Sequence, residues 1–130
     1  MMFPRVSKAV ISLWGIWMIG VGIYTMLEPA IIIQFYAIEP KNAVGWSTLS
    51  GNIAPLLLLL GLCALMGIWL SNVTFLWVIL LAEAVVLCGR AVALYQHGYH
   101  QDLMVTLIAE IAMALWLVIH LRIHHTTHQH

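Results

Sequence analysis

Residues 49–70 read LSGNIAPLLLLLGLCALMGIWL and residues 73–95 read VTFLWVILLAEAVVLCGRAVALY, with only Ser71 and Asn72 between them. At about 1.5 Å of rise per residue, each run is long enough to cross the ~30 Å hydrocarbon core of a bilayer as an α-helix. Two such runs with two residues between them form a tight helical hairpin. Pro55 falls early in the first of the pair, where neighbouring helices can satisfy a freed carbonyl and tolerate a kink.

Outward from this hairpin, two more apolar runs appear. Residues 9–28 follow the basic residues Arg5 and Lys8, a charge layout shared by signal peptides and signal anchors. The run is longer than a usual signal-peptide core, lacks a small-residue cleavage site and closes on Glu28-Pro29, so it reads as a first span. Residues 103–121 make the fourth. The expected fold is all-α: a bundle of four transmembrane helices with spans at about 9–28, 49–70, 73–95 and 103–121.

Composition agrees. With 63% hydrophobic and 8% charged residues in a chain of 130, there is more apolar surface than a water-soluble core of this size could hide. Residues 1–123 are expected to be one membrane domain, with no room for a second. Five basic and five acidic residues balance, and no Lys/Arg cluster exists to follow a phosphate backbone, so nucleic acid is excluded as a partner. Cys63 and Cys88 fall at depths about 12 Å apart in different spans, too far for a disulfide, and read as packing residues.

Between the first two spans, residues 29–38 are apolar but too short to cross, and Pro29 can open a helical turn. A short helix lying at the interface is expected, followed by a wet turn at Glu39, Pro40, Lys41 and Asn42. Arg5, Lys8 and Arg122 stand at one end against Lys41 at the other, which places both termini in the cytoplasm under the positive-inside rule. Trp46, Tyr95 and Tyr99 would mark the outer interface, and Trp69 and Trp77 the inner one.

Ionisable groups at membrane depth cost several kcal/mol unless paired or hydrated, which singles out Glu83 and Arg90 in the third span and Glu110 in the fourth. Arg90 and Glu110 meet at similar depth and are expected to form an ion pair. Glu83 shares a helix face with Arg90 but lies about 10 Å from it along the axis. It is a candidate proton-accepting site; the plainer reading is a neutral carboxyl that hydrogen-bonds across the bundle. Asn52, already inside the second span, can extend this polar network, whereas Ser47, Thr48 and Ser50 read as helix caps.

Glu28, His97 and His100 would gather as an outer vestibule, with loop solvation as the ordinary explanation. The C-terminal stretch holds His120, His124, His125, His128 and His130. His120 and His124 occupy adjacent turns of one helix face, a spacing that can ligate zinc, nickel or copper, although an end of this kind, expected to be disordered over residues 124–130, also binds such metals adventitiously. No cofactor is called for. Small residues at Gly15, Gly20 and Gly22 and at Gly61, Ala64 and Gly67 allow close helix approach. No phosphate loop, nucleophile elbow or zinc-protease motif is present, which removes the familiar soluble enzyme classes.

The order of these features, Glu28-Pro29, Ser50-Gly51-Asn52, Cys88-Gly89-Arg90, His97-Gly98 and Glu110, resembles a family of small four-helix bacterial membrane proteins classed as a domain of unknown function. The resemblance covers nearly the whole chain apart from the His-rich end. It implies a compact bundle in a bacterial cytoplasmic membrane with Arg90 and Glu110 at shared positions, and it implies no activity. The layout is also loosely similar to DoxX-like proteins, without a redox motif.

Three functions compete. The first is an accessory or lipid- and amphiphile-binding protein whose partners are membrane lipids, a second copy or another membrane protein. The second is a proton-linked transporter or channel subunit using Glu83, Arg90 and Glu110 as a relay. The third is a membrane enzyme acting on a lipid through Glu28, Asn52, His97 and Glu110, which needs a His within reach of a carboxylate. One Arg and two Glu suffice for a structural network and are too few to specify a reaction, so the binding role ranks first.

Overall fold

The computed structural model describes residues 3–30, 33, 39–98 and 101–127. The protein is all-α, and four of its helices are long and apolar enough to cross a membrane: Pro4–Leu27, Ala43–Trp69, Val73–Gln96 and Met104–Ile123.

Helix α1 spans Phe3–Leu27, with Pro4 in its first turn, where no N–H is missed. It stops at Glu28, which donates its backbone N–H to Tyr24 O at 2.8 Å, because the residue before a proline is pushed out of the helical region. In the connector, Pro29, Ala30 and Ile33 have helical backbone, and Ile33 packs on the core. The rest of the expected interfacial helix lies outside the described residues.

The second span begins earlier than the sequence suggests. Helix α2 covers Ala43–Thr48 and is capped by Asn42, whose Oδ1 accepts the Gly45 N–H at 3.0 Å. Thr48 is not a cap: its hydroxyl donates back to Val44 O at 2.9 Å, inside the helix. One π-helical turn, Leu49–Ile53, then leads without interruption into α3, Ala54–Trp69. The wider turn sits where Pro55 lacks an N–H and its ring crowds the preceding turn, so the chain crosses the proline without breaking.

Ser71 takes a left-handed conformation (φ 52°) and ends α3. Asn72 caps α4, Val73–His97, by accepting the Thr74 N–H at 3.0 Å. This is the tight hairpin expected from the sequence. Gly98, at φ 80°, closes α4. Helix α5 runs Gln101–Thr127, so the backbone stays helical past residue 123 into the stretch expected to be disordered.

The helices group as α1 with α3, the closest pair, and α4 with α5, while across the hairpin α3 packs on α4 as extensively as α4 does on α5. Helices α1 and α3 lie backbone to backbone: a Cβ on Gly61 would come within 2.5 Å of Gly15 O. Only glycine permits that approach, and close approach is what gives helices attraction in lipid, where burying apolar surface gains little. At the end of the bundle that carries both termini, this pair meets α4 and α5 in a dry core of Ile11, Leu76, Ile79 and Leu117, all at most 1% exposed. Toward the opposite end the pairs part. From Ala84 to Gln96 and from Met104 to Ala112, no described side chain is buried.

Large apolar side chains face outward on all four spanning helices, as a lipid environment requires. Trp46, Trp69, Trp77 and Tyr95 are exposed, while Tyr99 lies outside the described residues. Cys63 is buried in the core, Cys88 is exposed, and both are free thiols.

Candidate functional site

Where the helix pairs part, they leave a half-open cleft of about 340 Å³. Helix α1 contributes Trp14, Trp17 and Met18. The second span contributes Ile53 from the π turn and leucines from α3. Facing these are Glu83, Val86 and Arg90 on α4 and Thr106, Ala109, Glu110 and Met113 on α5. The walls are therefore apolar, with a small polar group on the α4–α5 side.

Arg90 and Glu110 are brought together. Arg90 Nε donates to Glu110 Oε2 and Nη2 donates to Oε1, each at 2.5 Å. This two-pronged geometry matches a planar guanidinium to a planar carboxylate and is the strong form of such a pair. Each side chain remains about one-fifth exposed (21% and 20%), so the pair sits on the lip of the cleft. Two consecutive helices joined by a three-residue connector bring these depths level, about 9 Å from the Gln96 end of the span for Arg90.

Glu83 lies two turns deeper on the same helix and is 6% exposed. Its carboxyl lines the floor of the cleft, within electrostatic reach of both Glu110 and Arg90, whose charges act on it with opposite sign. Among the described residues, no side chain or backbone group hydrogen-bonds it.

Other residues of the expected network stand elsewhere. Asn52 is exposed on the π turn and outside the cleft lining, because the wide turn aims Ile53, not Asn52, at the cleft. Glu28 is exposed beyond α1 and does not line the cleft. His97 is the last residue of α4, with its side chain outside the described ones, and His100 lies outside the described residues altogether.

His120 departs most from its reading as part of a metal-binding tail. It is 6% exposed and shares a 2.7 Å hydrogen bond between its Nδ1 and the buried Ser7 Oγ, which ties α5 to α1. The His124 and His125 side chains and all of His128 lie outside the described residues. Among the described residues, no group of three His, Cys, Asp or Glu side chains is placed to hold a metal.

The Ser7–His120 link was not read from the sequence. A signal existed: each is a polar residue within an apolar helix, and the first and last helices of an up-and-down bundle place positions 7 and 120 at the same end. The neighbouring His124 and His125 drew His120 into a metal reading and hid it.

No protein-family model matches the chain, and no curated protein or solved structure matches it. The likeness to small four-span membrane proteins thus rests on the layout of four long apolar helices.

Proposed function

We propose that this multi-pass membrane protein binds a lipid chain or other amphiphile in the cleft between its helix pairs, with the polar head on the α4–α5 side that carries Glu83, Arg90 and Glu110. The cleft itself carries the reading. Its volume of about 340 Å³ falls within the ~300–1,000 Å³ range of small-molecule sites, and it has apolar walls with few converging polar groups. It is open on one side, so a chain can enter from the surrounding lipid without crossing water.

The relay reading has one observation in its favour, the buried Glu83 at mid-depth. Against it, the cleft stops there: Ile11, Ile79 and Leu117 close the terminal end of the bundle with no exposure. The lipid-enzyme reading is weaker again, since Glu28 and Asn52 stand outside the cleft that Glu110 lines.

A large side chain at the cleft wall tests the binding reading. The protein released from lipid nanodiscs in native mass spectrometry should retain one lipid or amphiphile, and Ala109→Trp, which fills the cleft, should retain none. Release of the wild-type chain without any bound amphiphile would refute it.

With Arg5, Lys8 and Arg122 at the closed end and Lys41 at the open one, the same reading puts both termini in the cytoplasm of a bacterial inner membrane. A membrane-impermeant maleimide on intact cells should then label Lys41→Cys and spare Arg122→Cys; the reverse pattern would invert the orientation.

A further inference from the structure

We infer that the cleft takes a cationic amphiphile, its ammonium-type head seated against Glu83 and its chain along the apolar walls. This rests on the reading of the cleft as an amphiphile site and adds the class of ligand.

The argument is one of charge balance. Among the described residues, three ionisable side chains line the cleft: Glu83, Arg90 and Glu110. Arg90 and Glu110 neutralise each other through two charge-assisted hydrogen bonds. Helices α1 and α3, which form the opposite wall, bring no titratable side chain to the cleft. The lining thus holds one acid more than it holds bases, and that acid is the deepest of the three, 6% exposed. A carboxylate at this depth costs several kcal/mol unless a counter-charge accompanies it. Among the described residues the nearby positive charge is Arg90, which is already paired with Glu110, whereas a ligand with a positive head would bring its own.

The aromatic lining points the same way. Trp14 and Trp17 stand on α1 across the cleft from α4, and indole faces attract ammonium groups, most strongly where water is excluded. An anionic head would meet Glu83 with like charge and would find Arg90 already engaged with Glu110. A neutral head can hydrogen-bond the Glu83 carboxyl but brings no counter-charge. A cationic head supplies both a counter-charge for the floor of the cleft and a partner for its aromatic side.

The test compares two amphiphiles of matched chain and head size, dodecyltrimethylammonium and the uncharged dodecyldimethylphosphine oxide, titrated onto the full chain in nanodiscs with empty nanodiscs as reference. The ammonium should bind at least about tenfold more tightly. Glu83→Gln should bring it down to the level of the phosphine oxide, and Glu83→Asp should keep the preference. Equal binding of the two by the wild-type chain, or a preference that survives Glu83→Gln, overturns the cationic head and leaves the amphiphile site standing. Binding of neither overturns the amphiphile reading itself. Equal binding by the wild-type chain overturns the proposal by itself, so the test does not depend on every variant folding.

Discussion

At the end of the bundle that carries both termini, Ile11, Leu76, Ile79 and Leu117 are sealed from the surroundings, while at the other end α4 and α5 run for more than two turns without burying a described side chain. Both ends have a polar link, and the links differ in what they join. Ser7 and His120 connect α1 to α5, one helix from each pair, and hold the pairs shut. Arg90 and Glu110 connect α4 to α5, two helices of the same pair, and brace that pair without fastening it to the other. A cross-link between pairs makes a core, and a cross-link within a pair makes a wall. The cleft lies at the end whose polar link is of the second kind.

The largest expected effect tests whether the closed end is truly the packed one. Leu117→Ala removes a fully buried side chain and should cost about 2–5 kcal/mol in reversible unfolding from lipid or detergent. Leu56→Ala, at a half-exposed position on the cleft, should cost less than about 1 kcal/mol. Similar losses at the two sites would mean that the cleft is as well packed as the core, and the contrast between the ends would collapse.

A smaller effect sharpens the comparison of the two links. Double-mutant cycles separate a pairwise coupling from the cost of each truncation. The Arg90/Glu110 cycle, with alanine at each position, should give a coupling of about 1–3 kcal/mol, as expected for a bidentate charge-assisted pair on a partly hydrated lip. The Ser7/His120 cycle should give about 0.6 kcal/mol and at most about 1.7, as for interhelical hydrogen bonds in membranes. A reversal of that order would move the structural weight from the wall to the closed end.

The four spans, the hairpin at Ser71-Asn72 and the pairing of Arg90 with Glu110 were legible in the sequence. All three follow from quantities that depend on one or two neighbouring segments: run length, connector length and matched depth. The start of the second span was not legible, since Ser47, Thr48 and Ser50 look like caps when the π turn that carries the helix through to Pro55 is unknown. The exposure of Asn52 was not legible for the same reason: the π turn that carries it shifts its side chain relative to an ideal α-helix. The cleft was invisible because it depends on how two helix pairs diverge, which no local pattern records. His120 was misread because its partner stands 113 residues away.

That separation has a consequence for how the molecule is assembled. Helix α1 leaves the ribosome first and α5 last, so the contact that shuts the closed end cannot form until synthesis of the spanning segments is complete. Until then, Ser7 waits in the membrane with its hydroxyl lacking its final partner, while α1 and α3 are already able to dock through Gly15 and Gly61. Arrival of the fourth span therefore seals a set of helices that is already partly docked, and any truncation short of residue 120 removes that seal.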